Sequence, residues 1–368
     1  MYREKLEEIL GQYVKRFDEL NEQGKGKADA GYKWRVLDEA GKFDLDAADL
    51  HAEFEKLTES TQKLLETNRV QPSGGIVFLL EHDGEEEFVR NSFRTLLETD
   101  DDGDLQDRQK RIEAFITDIN RHLGYYLEKP DSYRQTMNSA VGYLFFHNPR
   151  NNYFYKPTTA ENWAMSIEYN EDFGHGKTFS LESFYRMCEE LKDALKDYPE
   201  VLELNERRMK EMNIQTDDGL HMLVYDIMAC TDQYNLDENR IKMSVKDRLA
   251  RVAIREERER LMDRLLEIDN RLEEIGDVRM LPDLTGETVQ HKKYGSGRVT
   301  SCGDGRIEVD FGKLARKFQY PDAFAKGYLS TENEADQKKF QENADIMTER
   351  HELLIEKARV EESLKHIG

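Results

Sequence analysis

His291, Lys292, Lys293, Tyr294 and Arg298, with Arg316 and Lys317 a short way downstream, gather the residue types that hold an anionic, flat-faced ligand. The cations neutralise phosphate or carboxylate, and a tyrosine offers a ring for stacking. A second mixed set is Arg150, Asn151, Asn152, Tyr153, Tyr155 and Lys156, with Tyr32, Lys33 and Trp34 upstream. Here Trp34, Arg150, Tyr153 and Lys156 are the expected contacts, because aromatic platforms beside cations suit bases and phosphates. Both sets point to binding.

Catalytic and metal chemistry finds thinner support. Gly174-His175-Gly176-Lys177-Thr178 approaches a phosphate-binding loop, but the first glycine of GxxxxGK[ST] is replaced by Glu171, whose charge opposes a triphosphate. A loop feeding a helix near Leu181 is the expected form. Asp100-Asp101-Asp102-Gly103-Asp104 resembles part of a calcium loop, yet the closing position counted from Glu98 is Gln109 rather than a bidentate Glu. An acidic turn at a helix start explains it. Asp217 and Asp218 precede His221 without a nucleophile nearby, which reads as a capping Asp and a helical His. HExxH and GxSxG are absent from the sequence, and Glu308, Asp310 and Lys313 lie along a hairpin without room for a metal. The expectation is no cofactor, no metal and no catalytic residue.

The elements that position these residues follow from periodicity. Around the first set, Ile307, Val309 and Phe311 alternate with Arg306, Glu308 and Asp310 behind a Gly303-Asp304-Gly305 turn, which predicts a half-buried hairpin in a small closed barrel. From Val245 to Ile275 the rows Ile254, Leu261, Ile268, Ile275 and Leu265, Leu272 recur every seven residues. After the barrel the rows Ile346, Leu353, Val360, Ile367 and Phe340, Met347, Leu354 do the same. Two helices of about thirty residues, about 45 Å each, can pair as an antiparallel hairpin with the barrel at its tip. Pairing with a symmetry mate in a homodimer is the alternative.

Upstream, Ile112, Phe115, Ile116, Ile119, Leu123 and Tyr126, and then Phe184, Met187, Cys188, Leu191 and Leu195 behind a Ser180 cap, form two helical core faces. Between them a helix is expected to end near His147, with Tyr153, Phe154 and Tyr155 in a strand of a minor sheet.

The 368 residues allow two or three domains. A formal charge of −22 disfavours nucleic-acid binding by bulk electrostatics, so any such contact must be local. The mean hydropathy of −0.83 fits long solvated helices around a diluted core. Cys188, Cys230 and Cys302 form no CxxC pair, and no long apolar run opens the chain, so a reducing cytoplasm without a membrane span is expected.

At these residues the chain resembles known families. VQHKKYGSGRV followed by IEVDF is similar to the Tudor-like, SH3-type barrel at the carboxyl end of UvrD-type DNA helicases, through His291, Tyr294, Gly295, Gly297 and Val299 over about forty residues. The resemblance implies a docking module for RNA polymerase or nucleic acid, without a helicase motor. Residues from Tyr32 through Val141–Phe146 and Tyr153–Lys156 to Asp217–His221 resemble, more diffusely, the region ahead of the AAA+ motor in some McrB-type restriction GTPases. That implies recognition of a target or partner, with neither motor nor nuclease here.

The expected fold class is α+β, mostly α. A helical recognition domain with a minor β element occupies 1–240, a coiled-coil helix 241–281, an SH3/Tudor-like barrel 282–330 and a return helix 331–368. The expected function is non-enzymatic: an adaptor docking a protein partner (a motor, nuclease or polymerase subunit) or nucleic acid, in DNA transactions or defence against foreign DNA. The alternatives are a nuclease or nucleotide hydrolase with a site built from distant residues, and a structural coiled-coil oligomer.

Overall fold

Two helices that are apolar all round set the centre of the N-terminal unit. The computed structural model describes residues 2–20, 30–67, 69–98, 104–214, 217, 219–275 and 281–367, and the chain divides into two units, 1–252 and 253–368. In chain order the helices are α1 (Arg3–Lys15), α2 (Phe17–Leu20), α3 (Val36–Glu39), α4 (Leu50–Leu65), α5 (Pro72–Leu80), α6 (Glu86–Leu97), α7 (Leu105–Tyr126), α8 (Met137–His147), α9 (Pro157–Ser166), α10 (Leu181–Ala194), α11 (Pro199–Met212), α12 (His221–Gln233), α13 (Val245–Ile275), α14 (Asp322–Ala325) and α15 (Glu334–His366). The chain is α+β and mostly α.

α8 is buried from Asn138 to Phe146 and α12 from His221 to Met228, as expected of helices without a polar face. α4, α6 and α7 pack on α8, while α1, α9 and α10 pack on α12. Phe43, Phe54, Phe93, Phe115 and Tyr143 meet with ring centroids 5.1–6.1 Å apart, mostly edge to face, the arrangement the ring quadrupoles favour. Starts are marked chemically. Thr136 and Ser139 form a reciprocal capping box on α8, Ser180 accepts from the Ser183 N–H, and prolines open α5, α9 and α11. The α7 row buries Ile112, Phe115, Ile119 and Leu123, and α10 buries Phe184, Met187, Cys188 and Leu191.

The expected strand at Tyr153–Tyr155 is not formed. α8 ends at His147 as anticipated, but residues 152–156 run without a ladder partner, and the sheet of this chain lies wholly in the C-terminal unit among the described residues. Side chains satisfy the segment instead. The Asn152 amide donates to the Leu144 and Asn148 carbonyls, and its Oδ1 accepts from Arg108 and the Tyr185 hydroxyl. Aromatic content here reflects packing against α10 and α12 rather than strand pairing.

The deepest polar cluster ties four segments together. Asp226 of α12 accepts from Lys33 at 2.5 Å, Arg208 of α11 at 2.7 Å and the Tyr13 hydroxyl of α1 at 2.5 Å. The Arg208 guanidinium also lies 4.0 Å from the Trp34 ring centre. Burial alone would raise the Asp226 pKa, but the charges of Lys33 and Arg208 hold it far below the ordinary carboxylate range.

In the C-terminal unit, β1 (Thr288–His291), β2 (Gly295–Gly303), β3 (Arg306–Asp310), β4 (Ala315–Gln319) and β5 (Leu329–Ser330) form one antiparallel sheet in the order β4-β3-β2-β1-β5, curled into a half-barrel. Its inner face is Val289, Val299, Ile307, Val309 and Leu329, closed by Phe324 of α14 and Phe340 of α15. The β2–β3 turn places Asp304 and Gly305 at φ +51° and +73°, the pair of left-handed residues a two-residue hairpin requires. Within this unit Arg264 bonds Glu356 at 2.8 Å, Arg271 bonds Glu349 at 2.7 Å and Lys357 bonds Asp269 at 2.6 Å. Later positions in α13 meet earlier ones in α15, so the two helices run antiparallel. No described helix is long and apolar enough to cross a membrane.

Candidate docking face of the half-barrel

The β1–β2 connection builds the site. His291 pairs with Gly295, leaving Lys292, Lys293 and Tyr294 as a three-residue loop closed by Gly295 at φ +75°. His291 Nδ1 accepts the Lys293 and Tyr294 N–H groups at 2.9 and 3.2 Å, which leaves the ring proton of the neutral imidazole on Nε2. The loop is thereby tied to the imidazole, and the Tyr294 ring stacks on it at 4.6 Å. Phe311 stands 5.4 Å from Tyr294, and Phe318 stands 5.3 Å from His291. All four rings are half-buried, so each keeps part of its surface for a ligand.

Register explains why they meet. Phe318 pairs with the buried Ile307, and Arg316 with the buried Val309, so both point to the inner side of the sheet. Phe311 lies just past β3 and packs over Gly297, where an added Cβ would come within 2.5 Å of its ring. The β3–β4 turn, carrying the exposed Lys313, falls at the same end of the sheet as the Lys292-Lys293 loop. Lys292, Lys293, Lys313 and Arg316 are exposed. Among the described residues none of the four has a carboxylate within 4 Å, whereas Lys317 on the outer face leans toward Glu308 at 3.9 Å. Lys293 Nζ instead sits 5.7 Å from the Tyr294 ring centre. The result is a rim of four rings flanked by four uncompensated cations. From 281 to 330 the chain has eight Lys and Arg against six Asp and Glu, inside a protein of charge −22.

The structure brings His291, Lys292, Lys293 and Tyr294 together and separates Arg298 from them. Arg298 pairs with Thr288, one position out of phase with His291, so it projects from the opposite face of the sheet. Phe311, Phe318 and Lys313 are the rim residues that sequence reasoning missed. Alternation marked Phe311 as core, and only the fold of the edge strand reveals Phe318 beside His291.

The N-terminal set does not form a surface. Trp34 and Tyr153 are 0% and 1% exposed: Trp34 lies under Arg208, and Tyr153 lies between His221 at 3.9 Å and Tyr185 at 5.2 Å with its hydroxyl on Glu189. Neither can stack a base as placed. Lys33 is in the Asp226 cluster, Lys156 is half-buried at the start of α9 with its pKa lowered by burial, and Arg150 is exposed. The Tyr32 side chain and Asp218 lie outside the described residues, as do residues 100–103 of the acidic turn, of which Asp104 caps α7.

The remaining chemical possibilities are occupied internally. In the Gly174–Thr178 loop the His175 N–H donates to the Thr178 hydroxyl and the Gly174 N–H to the Asp172 carboxylate. Glu171 pairs with Arg186 at 2.5 Å, so these amides do not form a phosphate cradle. Among the described residues no group of three His, Cys, Asp or Glu could hold a metal. His221 is buried, its Nδ1 meets the Asn152 carbonyl at 3.0 Å, and Asp217 caps α12 through the Leu223 N–H at 2.8 Å. Burial and then the Lys192 charge push the His221 pKa down to about 4. With an unfolded value near 6.5, the unfolded chain binds the extra proton between these limits, so this contribution to stability is present above pH 6.5 and is lost as the pH falls toward 4. Unfolding midpoints of His221→Gln are expected to lose that slope, by up to about one proton.

No protein-family model matches this chain, and no curated protein or solved structure matches it. The reading of the site therefore rests on its geometry.

Proposed function

We propose that this chain is a non-enzymatic recognition or adaptor protein that grips a partner with the rim of the half-barrel. In this reading the half-barrel is an SH3/Tudor-like module, and α13 with α15 forms the antiparallel coiled-coil arm that carries it. The observation that supports it best is the conjunction of His291, Tyr294, Phe311 and Phe318 with four exposed cations that have no carboxylate within 4 Å among the described residues. A strand of nucleic acid suits that surface, its bases on the rings and its phosphates on the lysines. The similarity of VQHKKYGSGRV to the UvrD-type barrel supports the same role and favours, as a second reading, a motor, nuclease or polymerase subunit as partner. DNA transactions or defence against foreign DNA, in the cytoplasm, are the setting both resemblances suggest.

Binding of a fluorescent single-stranded oligonucleotide, measured against salt, tests the proposal. Four phosphate contacts give a slope of log K on log salt of roughly −3, and Lys293→Ala with Lys313→Ala is expected to shallow it by about 1.4. A slope unchanged by the two substitutions rejects the nucleic-acid assignment.

A further inference from the structure

The turn from α5 to α6 and the last turn of α7 gather rings on one surface of the N-terminal unit. Gly84, at φ +88°, lets the chain double back into α6, which sets Phe78 and His82 on one side of the turn and Phe88 on the other. On α7, His122, Tyr125 and Tyr126 are spaced three and four apart and so share a face. His82 lies 4.3 Å from Phe78 and 4.4 Å from Tyr126, while His122 stacks on Phe88 at 3.5 Å and lies 5.1 Å from Tyr125. Glu85 joins the two groups, accepting from His122 Nδ1–H at 2.8 Å and from the Tyr126 hydroxyl at 2.7 Å. Tyr125 is 65% and Tyr126 43% exposed, and among the described residues of 1–252 only Ile241 joins them as an exposed large apolar side chain. Single exposed rings are ordinary, but a contiguous set marks a place of contact.

The charge around these rings has one sign. From 78 to 88 the chain has five carboxylates and no Lys or Arg. Glu86 and Glu87 pair with Arg90, whereas Glu81, Asp83 and, just past α7, Glu128 are exposed with no cation within 4 Å among the described residues. Burial works against the charge on Glu85, but its bonds to Tyr126 and His122 hold its pKa below the ordinary value. On the α7 side Arg121 pairs with Asp118 and Arg134 with Asp131, which leaves Lys129 as the exposed cation there.

We infer that this face docks an arginine-bearing segment of a protein partner, separately from the ligand of the half-barrel. A guanidinium stacks flat on a ring while it forks to a carboxylate, which a compact, strongly hydrated ammonium does less well. Nucleic acid carries the wrong sign for a surface of carboxylates. A second copy would bring a net charge of −22 with it, so complementarity favours a basic partner.

Fluorescence anisotropy of a labelled Arg-Gly repeat peptide, titrated with the full chain beside a Lys-Gly peptide of the same length, tests this. The arginine peptide is expected to bind about 5-fold more tightly. Tyr125→Ala with Tyr126→Ala should weaken it about 10-fold and remove the preference at an unchanged unfolding midpoint. Tyr125→Ala alone, which keeps the Tyr126–Glu85 bond, should weaken it about 3-fold. Glu81→Gln with Asp83→Asn should cost about 5-fold, and Glu200→Gln with Glu203→Gln, exposed on α11, less than about 2-fold. No binding, equal binding of the two peptides, or as great a loss in the α11 variant overturns the inference. Self-association of the chain that disappears in the tyrosine variants would assign the face to a second copy and overturn it as well.

Discussion

Asp226→Ala is expected to destabilise the N-terminal unit by about 3–5 kcal/mol, read from urea unfolding, because it strands two cations in the interior. Lys33 and Arg208 are 3% and 2% exposed and share this one carboxylate. Burial works against the charge on Lys33, and Asp226 is the chief group that offsets it, so its pKa stays above the ordinary lysine value. Tyr13 loses its acceptor as well. The loss is transmitted widely, since the cluster joins α1, the turn before α3, α11 and α12. Tyr13→Phe removes two hydrogen bonds, the one donated to Asp226 and the one accepted from Arg208, but strands no charge without its carboxylate and should cost less, about 1–3 kcal/mol. Replacing Asp226, Lys33 and Arg208 together by apolar residues of similar volume should recover much of the loss. A change below about 1 kcal/mol in Asp226→Ala would mean that the cations find water, contrary to the packing described.

The second large effect is expected at Gly297. A Cβ there meets Phe311 Cδ1 at 2.5 Å and Val309 Cγ1 at 2.6 Å, and Val309 is fully buried in the half-barrel core. The ring must therefore move. Gly297→Val is expected to cost about 1–3 kcal/mol through overpacking and to displace Phe311 from Tyr294, so oligonucleotide affinity should fall together with stability. Gly303→Ala is the control, because nothing lies within 4 Å of its Cβ and its backbone is not left-handed. If Gly297→Val retains both unfolding midpoint and affinity, Phe311 is not part of the binding surface.

Periodicity carried most of the architecture. The heptad rows marked α13 and α15 as helices, although Ile254, Met347 and Leu354 of those rows are 47–55% exposed; alternation located β3 and Gly303-Asp304-Gly305 its turn, because each of these signals is local and repeats along one element. Tyr153–Tyr155 shows the limit. Three aromatics in succession fit a strand or a packed irregular segment equally well, and the choice was made by Asn152 and by the rings of α10 and α12, which are distant in sequence. The docking face divides in the same way. His291, Lys292, Lys293 and Tyr294 are contiguous and, with Arg316, could be read directly, whereas Phe318 joins them only through the pairing of β4 with β3. Arg298, close to them in sequence, falls on the opposite face for a related reason. A one-residue difference in register reverses the face, and composition carries no register. Trp34 and Tyr153 were read as platforms because residue type alone does not report burial.

His221 bears on the enzymatic alternative. A histidine pushed down to about 4 can signal a reactive centre, but this one is 5% exposed, stacked on Tyr153 and bonded to a backbone carbonyl. Its shift comes first from burial. A catalytic base must reach its substrate, and nothing about this ring offers that reach.

Hydrogen exchange of the full chain with and without a single-stranded oligonucleotide tests the central claim most directly. Protection is predicted in the β1–β2 loop around residues 291–295 and from 311 to 318, with the core of α8 and α12 unchanged. Protection confined to residues 1–252, with the half-barrel exchanging as in the free protein, would contradict it.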